Sequence, residues 1–108
     1  MFNIKMSELK LIKVEKSSRP GKRLMAIFER NGRKLIRHFG YRNKNTGKTG
    51  STYIDHKNPI TKKNWIARHQ VRGKFNDPLT ASSLSRWILW NKKTLAGSIK
   101  DFKKRFNL

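Results

Sequence analysis

An indole and two guanidinium groups recur at helical spacing near the middle of the chain, at Trp65, Arg68 and Arg72. Residues three and seven positions apart share one face of a helix. On such a face, an aromatic ring can stack on a base while the guanidinium groups flank phosphates. In the alternative arrangement, Trp65 packs into the core and the arginines extend past it into water. The sequence leaves both interpretations open.

Residues that could support catalysis or hold a metal follow no known arrangement. The chain has no cysteine, and its six carboxylates are scattered without a pair for acid–base or two-metal chemistry. Ser82, Ser83 and Ser85 fall in a predicted helix without a paired base. The histidines also lack the spacing of a metal motif, even with Asp55 added; they are His38, His56 and His69. We therefore expect no enzymatic activity, no metal site and no cofactor.

A basic segment with three glycines, residues 40–52, contains Gly47-Lys48-Thr49, which is similar to the end of a phosphate-binding P-loop. That motif needs an earlier glycine at a fixed spacing and a helix that follows. Gly40 stands two positions too early, and no helical pattern follows. The segment is better interpreted as a mobile basic loop.

The charge of the chain restricts its partners more than any motif does. It has 27 Lys and Arg against 6 Asp and Glu, a net charge of +21 and a pI of about 11.3. In a compact protein with this net charge the positive groups repel one another, and binding to a polyanion reduces that repulsion. Nucleic acids are the commonest such partners because binding releases their counterions. We expect no membrane span and no signal peptide, and the lack of cysteine favours an intracellular or intravirion protein.

The chain divides into a basic N-terminal arm, residues 1–21, and a single small α+β domain, residues 22–108. Pro20-Gly21 marks the break between them. Asn31-Gly32 predicts a two-residue type I′ hairpin turn, with a third strand available from the arm. That turn gives four cross-strand pairs: Arg30 with Arg33, Phe28 with Leu35, Ala26 with Arg37, and Leu24 with Phe39.

Three helices should follow the hairpin, at about 59–72, at about 78–91 and after Thr94. Asn58 and Asp77 each precede a proline and are predicted N-caps, as is Thr94. In the first helix the apolar stripe is predicted through Ile60, Ala67 and Val71. The second is apolar over a wide arc and should be the most buried, with Trp87 and Trp90 in the core. The third repeats apolar residues at i, i+4, i+7 and i+11, namely Leu95, Ile99, Phe102 and Phe106.

The basic residues of the arm, the loop and two of the helices are the candidate nucleic-acid contacts, together with Trp65. They are Lys13, Lys16, Arg19, Lys22, Arg23, Arg42, Lys44, Lys48, Lys62, Trp65, Arg68, Arg72, Lys100, Lys103 and Lys104. No zinc finger, basic zipper or aromatic RNA-binding signature accompanies them. Binding to phosphates and helical shape, without strong sequence choice, is therefore expected.

Several short segments in order resemble a family of small basic proteins encoded by nucleocytoplasmic large DNA viruses, of the giant-virus and algal-virus kind. They include Tyr53-Ile54-Asp55-His56-Lys57, Trp65-Ile66-Ala67-Arg68-His69, Asn76-Asp77-Pro78 and Leu84-Ser85-Arg86-Trp87-Ile88-Leu89-Trp90-Asn91-Lys92. The resemblance covers about residues 23–107. It implies a viral protein carried in the virion, or found in the host cytoplasm or nucleus at sites of viral replication.

The function that best fits these observations is non-specific electrostatic binding and compaction of a viral genome, with double-stranded DNA as the partner. One alternative is a minor capsid or virion core protein whose basic surface touches DNA or acidic capsid or core proteins. Another is an RNA- or ribosome-associated protein, since ribosomal proteins share this size and charge. The sequence does not determine the oligomeric state.

Overall fold

The computed structural model describes residues 8–108, so the first seven residues of the predicted arm lie outside the described residues. An antiparallel sheet of three strands comes first and helices follow, which confirms the predicted α+β class. The strands are β1 (Lys10–Lys16), β2 (Leu24–Arg30) and β3 (Arg33–Phe39), in the order β1-β2-β3. The helices are α1 (Tyr53–His56), α2 (Pro59–His69), α3 (Ala81–Leu84), which continues as a π-helical segment (Ser85–Leu89), and α4 (Leu95–Arg105).

The hairpin of β2 and β3 forms as its turn residues predict. Asn31 and Gly32 both have positive φ, at 52° and 77°, as a type I′ turn requires. All four predicted cross-strand pairs are present. Ala26, Phe28 and Phe39 on the inner face have no exposed surface, which confirms that this face packs on the helices.

The third strand, β1, comes from the segment predicted as an arm. It pairs antiparallel with β2, and its register shifts between Leu11 and Lys13. The extra residue at this bulge is Ile12, which is 54% exposed, while Leu9 and Leu11 are buried in the core. A bulge of one residue restores the inward direction of the next apolar side chain, Val14. This bulge explains why the apolar residues of the segment, Leu9, Leu11, Ile12 and Val14, do not alternate strictly with polar ones.

The helices depart from the prediction in number and in the start of the second one. The short α1 was not predicted; its capping box joins Thr52 and Asp55. Asn58 and Thr94 cap α2 and α4 as expected. The second predicted helix begins at Ala81, because Asp77 caps only a turn and Thr80 is the N-cap, its side chain accepting from the Ser83 amide.

The helix α2 also presents a different face to the core from the one predicted. Ile60 and Val71 are 70% and 79% exposed, so the predicted apolar stripe is wrong. Trp65 and Ile66 lie on the half-buried side instead. Trp65 packs against the core cluster, where a large ring buries more apolar area than the smaller side chains could.

The π-helical segment affects the two tryptophans that are predicted to lie in the core, Trp87 within it and Trp90 directly after it. The Trp90 amide donates to the Ser85 carbonyl oxygen at 3.0 Å, which is the i→i−5 bond of a π turn. A wider turn places Trp87 and Trp90 farther apart around the axis than an α-helix would. Trp90 is buried, whereas Trp87 is only half-buried, between the guanidinium groups of Arg86 and Arg105 at 4.0 and 3.7 Å.

The apolar stripe predicted for α4 is confirmed. Phe102 is fully buried, and Leu95, Ile99 and Phe106 pack against the core cluster. The three lysines of the opposite face are exposed: Lys100, Lys103 and Lys104. Within residues 8–108, no helix is both long and apolar enough to cross a membrane.

Candidate nucleic-acid interface

A cleft of about 560 Å³ opens between the loop after β3, the C-terminal part of α2 and the start of α3. The loop supplies one side, the turn of chain after α2 and the first residues of α3 supply another, and the π-helical segment contributes to the floor. Its lining residues are Lys22, Gly40, Tyr41, Gly50, Ser51, Thr52, Trp65, Arg68, His69, Arg72, Gly73, Phe75, Ala81, Ser82, Ser85, Leu89 and Trp90. Lysine and arginine are present among them, and aspartate and glutamate are not.

Stacked rings form the aromatic wall of the cleft, which we define as Trp65, His69, Phe75 and Trp90. The Trp65 indole is nearly parallel to the other three rings, with centroids 4.1 Å from His69, 4.9 Å from Trp90 and 6.2 Å from Phe75. Trp90 is buried, Trp65 is half-buried and His69 is exposed, so the stack runs from the core to the surface. Trp65 is therefore both a packing residue and part of the cleft.

The turn that follows α2 brings Phe75 onto this wall. A Cβ atom at Gly73 would lie 2.8 Å from the His69 carbonyl oxygen and 2.5 Å from the Phe75 ring, so this close turn needs glycine. The Phe75 carbonyl oxygen accepts hydrogen bonds from Trp87 Nε1 at 2.7 Å and from Ser83 Oγ at 3.3 Å. The hydrogen bond from Trp87 thus holds the backbone of Phe75, and with it one ring of the aromatic wall, in position.

Three cations form the basic rim of the cleft, which we define as Lys22, Arg68 and Arg72. Arg68, in the last turn of α2, and Arg72, in the turn that follows, are both exposed, because the helix ends at His69 and not near residue 72 as predicted. Lys22 is half-buried on the facing side. Like-charged groups around a concave surface focus the potential and attract anions. The structure therefore brings together four of the candidate contacts, namely the rim and Trp65.

The loop of residues 40–52, which was predicted to be mobile, contains a hydrogen-bonded turn. Asn43 is its centre: its amide donates to the Lys48 carbonyl oxygen at 2.8 Å, and its side-chain oxygen accepts from the amides of Asn45 and Thr46. Arg42 and Thr49 form an isolated antiparallel bridge across the loop. These bonds hold one side of the cleft in place.

Three of the candidate contacts form hydrogen bonds or ion pairs within the protein, so they are not part of the candidate interface. Arg23 makes a bidentate ion pair with Asp55, both bonds at 2.8 Å, and its side chain is only 14% exposed. Arg42 donates to the carbonyl oxygens of Ser17 and Arg19. Lys62 donates to the Asn91 carbonyl oxygen at 2.7 Å and lies over the Tyr53 ring. Burial, followed by repulsion from Arg86 and Lys92, lowers the pKa of Lys62.

The remaining candidates are exposed but lie outside the lining of the cleft. On the β1 side they are Lys13, Lys16 and Arg19; in the loop, Lys44 and Lys48; and on α4, Lys100, Lys103 and Lys104. Lys13 also forms a surface ion pair with Glu15 at 3.3 Å, which is worth little in water. The candidate contacts are thus distributed over several surfaces, and only the rim converges on a concave site.

Sequence reasoning missed His69, Tyr41 and Phe75 as parts of this site. His69 follows Trp65 by four residues, so helical spacing could have paired the two rings. Phe75 and Tyr41 belong to irregular segments, where no periodicity indicates the direction of a side chain.

The three histidines, which share no metal-motif spacing, occupy separate environments. His38 Nδ1 lies 2.7 Å from Ser17 Oγ, the His56 ring contacts the Trp90 ring, and His69 stacks on Trp65. Burial and the nearby charges of Arg19 and Lys22 lower the pKa of His38. In the part of the chain that the structure describes, no group of three potential ligands could hold a metal ion.

The ion pair of Arg23 with Asp55 leads to a prediction about acid stability. Asp55 also accepts from the Thr52 amide and hydroxyl, both at 2.8 Å. The hydrogen bond from Arg23, supported by those from Thr52, holds the pKa of Asp55 well below its usual value of 3.8. The carboxylate therefore stabilises the fold above that usual value, and this contribution disappears as the pH falls toward the lower folded pKa.

We expect Asp55→Asn to lose about 1–2 kcal/mol of stability at neutral pH, since water partly screens the pair. Its stability should also fall less steeply between about pH 5 and pH 2 than that of the parent. Urea denaturation at several pH values measures both effects. Arg23→Lys, which keeps the charge but not the bidentate geometry, should lose less. Identical pH profiles for the parent and Asp55→Asn would contradict the assignment.

Comparison with known proteins places most of the sheet and α2 within a family. No curated protein and no solved structure matches the chain. A family described as a family of unknown function, DUF5754, matches residues 12–69, which run from β1 to the last residue of α2. The match includes Tyr41, Trp65, Arg68 and His69 of the cleft. Because it spans more than half of the chain, the protein belongs to the DUF5754 family.

Proposed function

We propose that this protein binds nucleic acid through its charge, without strong sequence choice, and that it compacts a viral DNA genome in the virion. The observation that carries the proposal is the excess of cations over the acids that could neutralise them. The chain has 6 acidic residues against 27 basic ones, and within residues 8–108 ion pairs of the fold already engage Glu15, Asp55 and Asp101. Most of the basic side chains are left for an external polyanion.

The distribution of the exposed cations supports phosphate binding rather than base reading. Those among the candidate contacts lie on and just after β1, on the loop of residues 40–52, on the rim of the cleft and on α4. Reading of base edges normally uses a few side chains that a single helix or ribbon carries into a groove. Cations on several surfaces instead allow one molecule to contact more than one duplex segment, which is what compaction needs.

The experiment that tests the proposal measures binding to several duplexes of equal length and unrelated sequence at one salt concentration. We expect the affinities to agree within a few-fold, because phosphate contacts carry no sequence information. Light scattering with long DNA then reports compaction. A strong preference for one sequence, or no binding to any duplex, would overturn the proposal.

The exposed lysines of α4 give a prediction about the contact surface. Replacing Lys100, Lys103 and Lys104 with glutamine should leave the melting temperature almost unchanged, since exposed lysines add little to stability. The affinity for every duplex should fall by a similar factor. The slope of log affinity against log salt should become shallower by about one for each phosphate that these lysines no longer neutralise.

A triple variant of equal charge loss away from α4 and the cleft is the matched control. Arg33, Lys34 and Lys63 are exposed and belong to neither the candidate contacts nor the cleft. Their replacement with glutamine should reduce the affinity less and leave the salt slope nearer that of the parent. If both triple variants behave alike, net charge alone matters and α4 is not a specific contact surface.

A further inference from the structure

The cleft has the chemistry of a site for a single nucleotide rather than for a duplex. Its volume of about 560 Å³ is within the range of small-ligand sites. A duplex backbone needs a broad charged surface, whereas a cleft of this size with an aromatic wall can enclose one planar group. The absence of carboxylates among its lining residues makes it complementary to an anion.

Two rings in the cleft offer surface that the protein leaves exposed. His69 stacks on Trp65 and is itself exposed, so its outer face extends the stack that begins at buried Trp90. Tyr41, from the loop on the other side, is 60% exposed, and its hydroxyl accepts a hydrogen bond from the Asn43 side chain at 3.4 Å. A base can cover these rings and remove apolar surface from water.

Groups for the polar parts of a nucleotide line the same cleft. Arg68 precedes His69 in the last turn of α2 and Arg72 lies in the turn that follows, and all three line the cleft, so a phosphate attached to a stacked base has guanidinium groups within the same site. The hydroxyls of Ser51, Ser82 and Ser85 line the cleft as well. Each hydroxyl can donate or accept, so they suit the edge of any base without selecting one.

We propose that the cleft receives an unpaired nucleotide of a nucleic-acid strand, with its base against His69 and Tyr41 and its phosphate at Arg68 and Arg72. A base within a duplex is covered on both faces by its neighbours and cannot enter. The inference rests on the proposed function and adds that a single strand gains a contact that a duplex lacks. Melted or single-stranded regions would therefore be held more tightly than intact duplex.

The test compares the affinities for a short oligothymidylate and for a random duplex of the same length at the same salt concentration. His69→Ala should lower the ratio of strand to duplex affinity by about five- to a hundredfold, the usual effect of removing one stacking partner of a base. His69→Phe should restore the ratio because it keeps a ring. Trp65 and Trp90 line the cleft, so the strand should also quench tryptophan fluorescence more than the duplex does.

Two controls separate the cleft from general charge. Arg68→Gln with Arg72→Gln should weaken strand binding more than duplex binding, whereas Arg33→Gln with Lys34→Gln, an equal loss of charge at the hairpin, should weaken both alike. Ser82→Leu adds bulk to the cleft without changing charge, and it should lower the ratio as His69→Ala does. This variant tests the site without removing any ring of the aromatic wall.

The outcomes distinguish the two proposals. An unchanged ratio in both His69→Ala and Ser82→Leu overturns the nucleotide site and leaves electrostatic duplex binding intact. Strand binding that depends on His69, without any duplex binding, overturns the proposed function and supports the site. If free thymidine monophosphate quenches as strongly as the oligothymidylate at equal nucleotide concentration, the cleft binds a small molecule and the strand proposal is wrong.

Discussion

Raising the salt concentration from about 50 to about 200 mM is expected to weaken binding to random duplex by about 10³–10⁵-fold, the change for a protein that contacts about 6–10 phosphates. The net charge of +21 and the exposed cations of β1, the loop, the cleft rim and α4 can supply that number of contacts. Arg23, Arg42 and Lys62 are not counted, because the fold uses their donors.

A titration of binding affinity against salt concentration measures this effect directly. The slope of log affinity against log salt should be about −5 to −9 for those contacts. Heparin, a polyanion that has no bases, should compete with the duplex for the protein. A slope near zero would show that charge does not drive binding, and the electrostatic proposal would then be wrong.

Replacing Phe102 with alanine is expected to destabilise the fold by about 3–5 kcal/mol, the usual cost of removing a fully buried phenylalanine. Phe102 has no exposed surface and joins α4 to the sheet, since its ring centroid lies 6.4 Å from that of Phe28 on β2. At the end of α4 its ring also contacts that of Phe106, with centroids 5.0 Å apart. A domain of this size has a total stability of about 5–15 kcal/mol. The loss is therefore a large part of the whole.

Urea denaturation gives the free energy of unfolding for this test, with the slope checked for a change in the unfolded state. Phe106→Ala is the matched control: the same substitution next to the same helix, at a ring that is only partly buried. It should cost about 1–2 kcal/mol, because less apolar area is removed from the core. Equal losses for the two variants would mean that α4 does not pack on the sheet as described.

The helix α2 illustrates why the candidate site could be predicted only in part. Its start at Asn58 and Pro59 is local chemistry and was correctly predicted. Its inward face was not, because Trp65 is placed by Trp90 and Phe75, which lie outside the helix. The periodicity of the sequence predicts only the most apolar face of a helix. The face that packs inward depends on which rings elsewhere in the fold lie close enough to stack on it.

The sequence also could not predict which basic residues are held within the fold and which line the cleft. Arg23 and Lys22 are neighbours of equal charge, yet Arg23 is held by Asp55 and Lys22 lines the cleft. Their difference depends on the loop after β3, which brings Asp55 close to the sheet. Charge alone therefore predicts the class of partner but not the contact surface.

The hairpin and its register, the caps of α2 and α4, the apolar stripe of α4 and the overall charge could all be predicted from the amino-acid sequence. Apart from the charge, each of these depends on residues within a few positions of one another, where backbone sterics, capping and helical spacing act. The bulge in β1, the inward face of α2, the π-helical segment and the cleft could not be predicted, because they depend on tertiary packing. These features arise where side chains remote in sequence compete for the same buried space, and close packing then selects one arrangement among those that the local pattern allows.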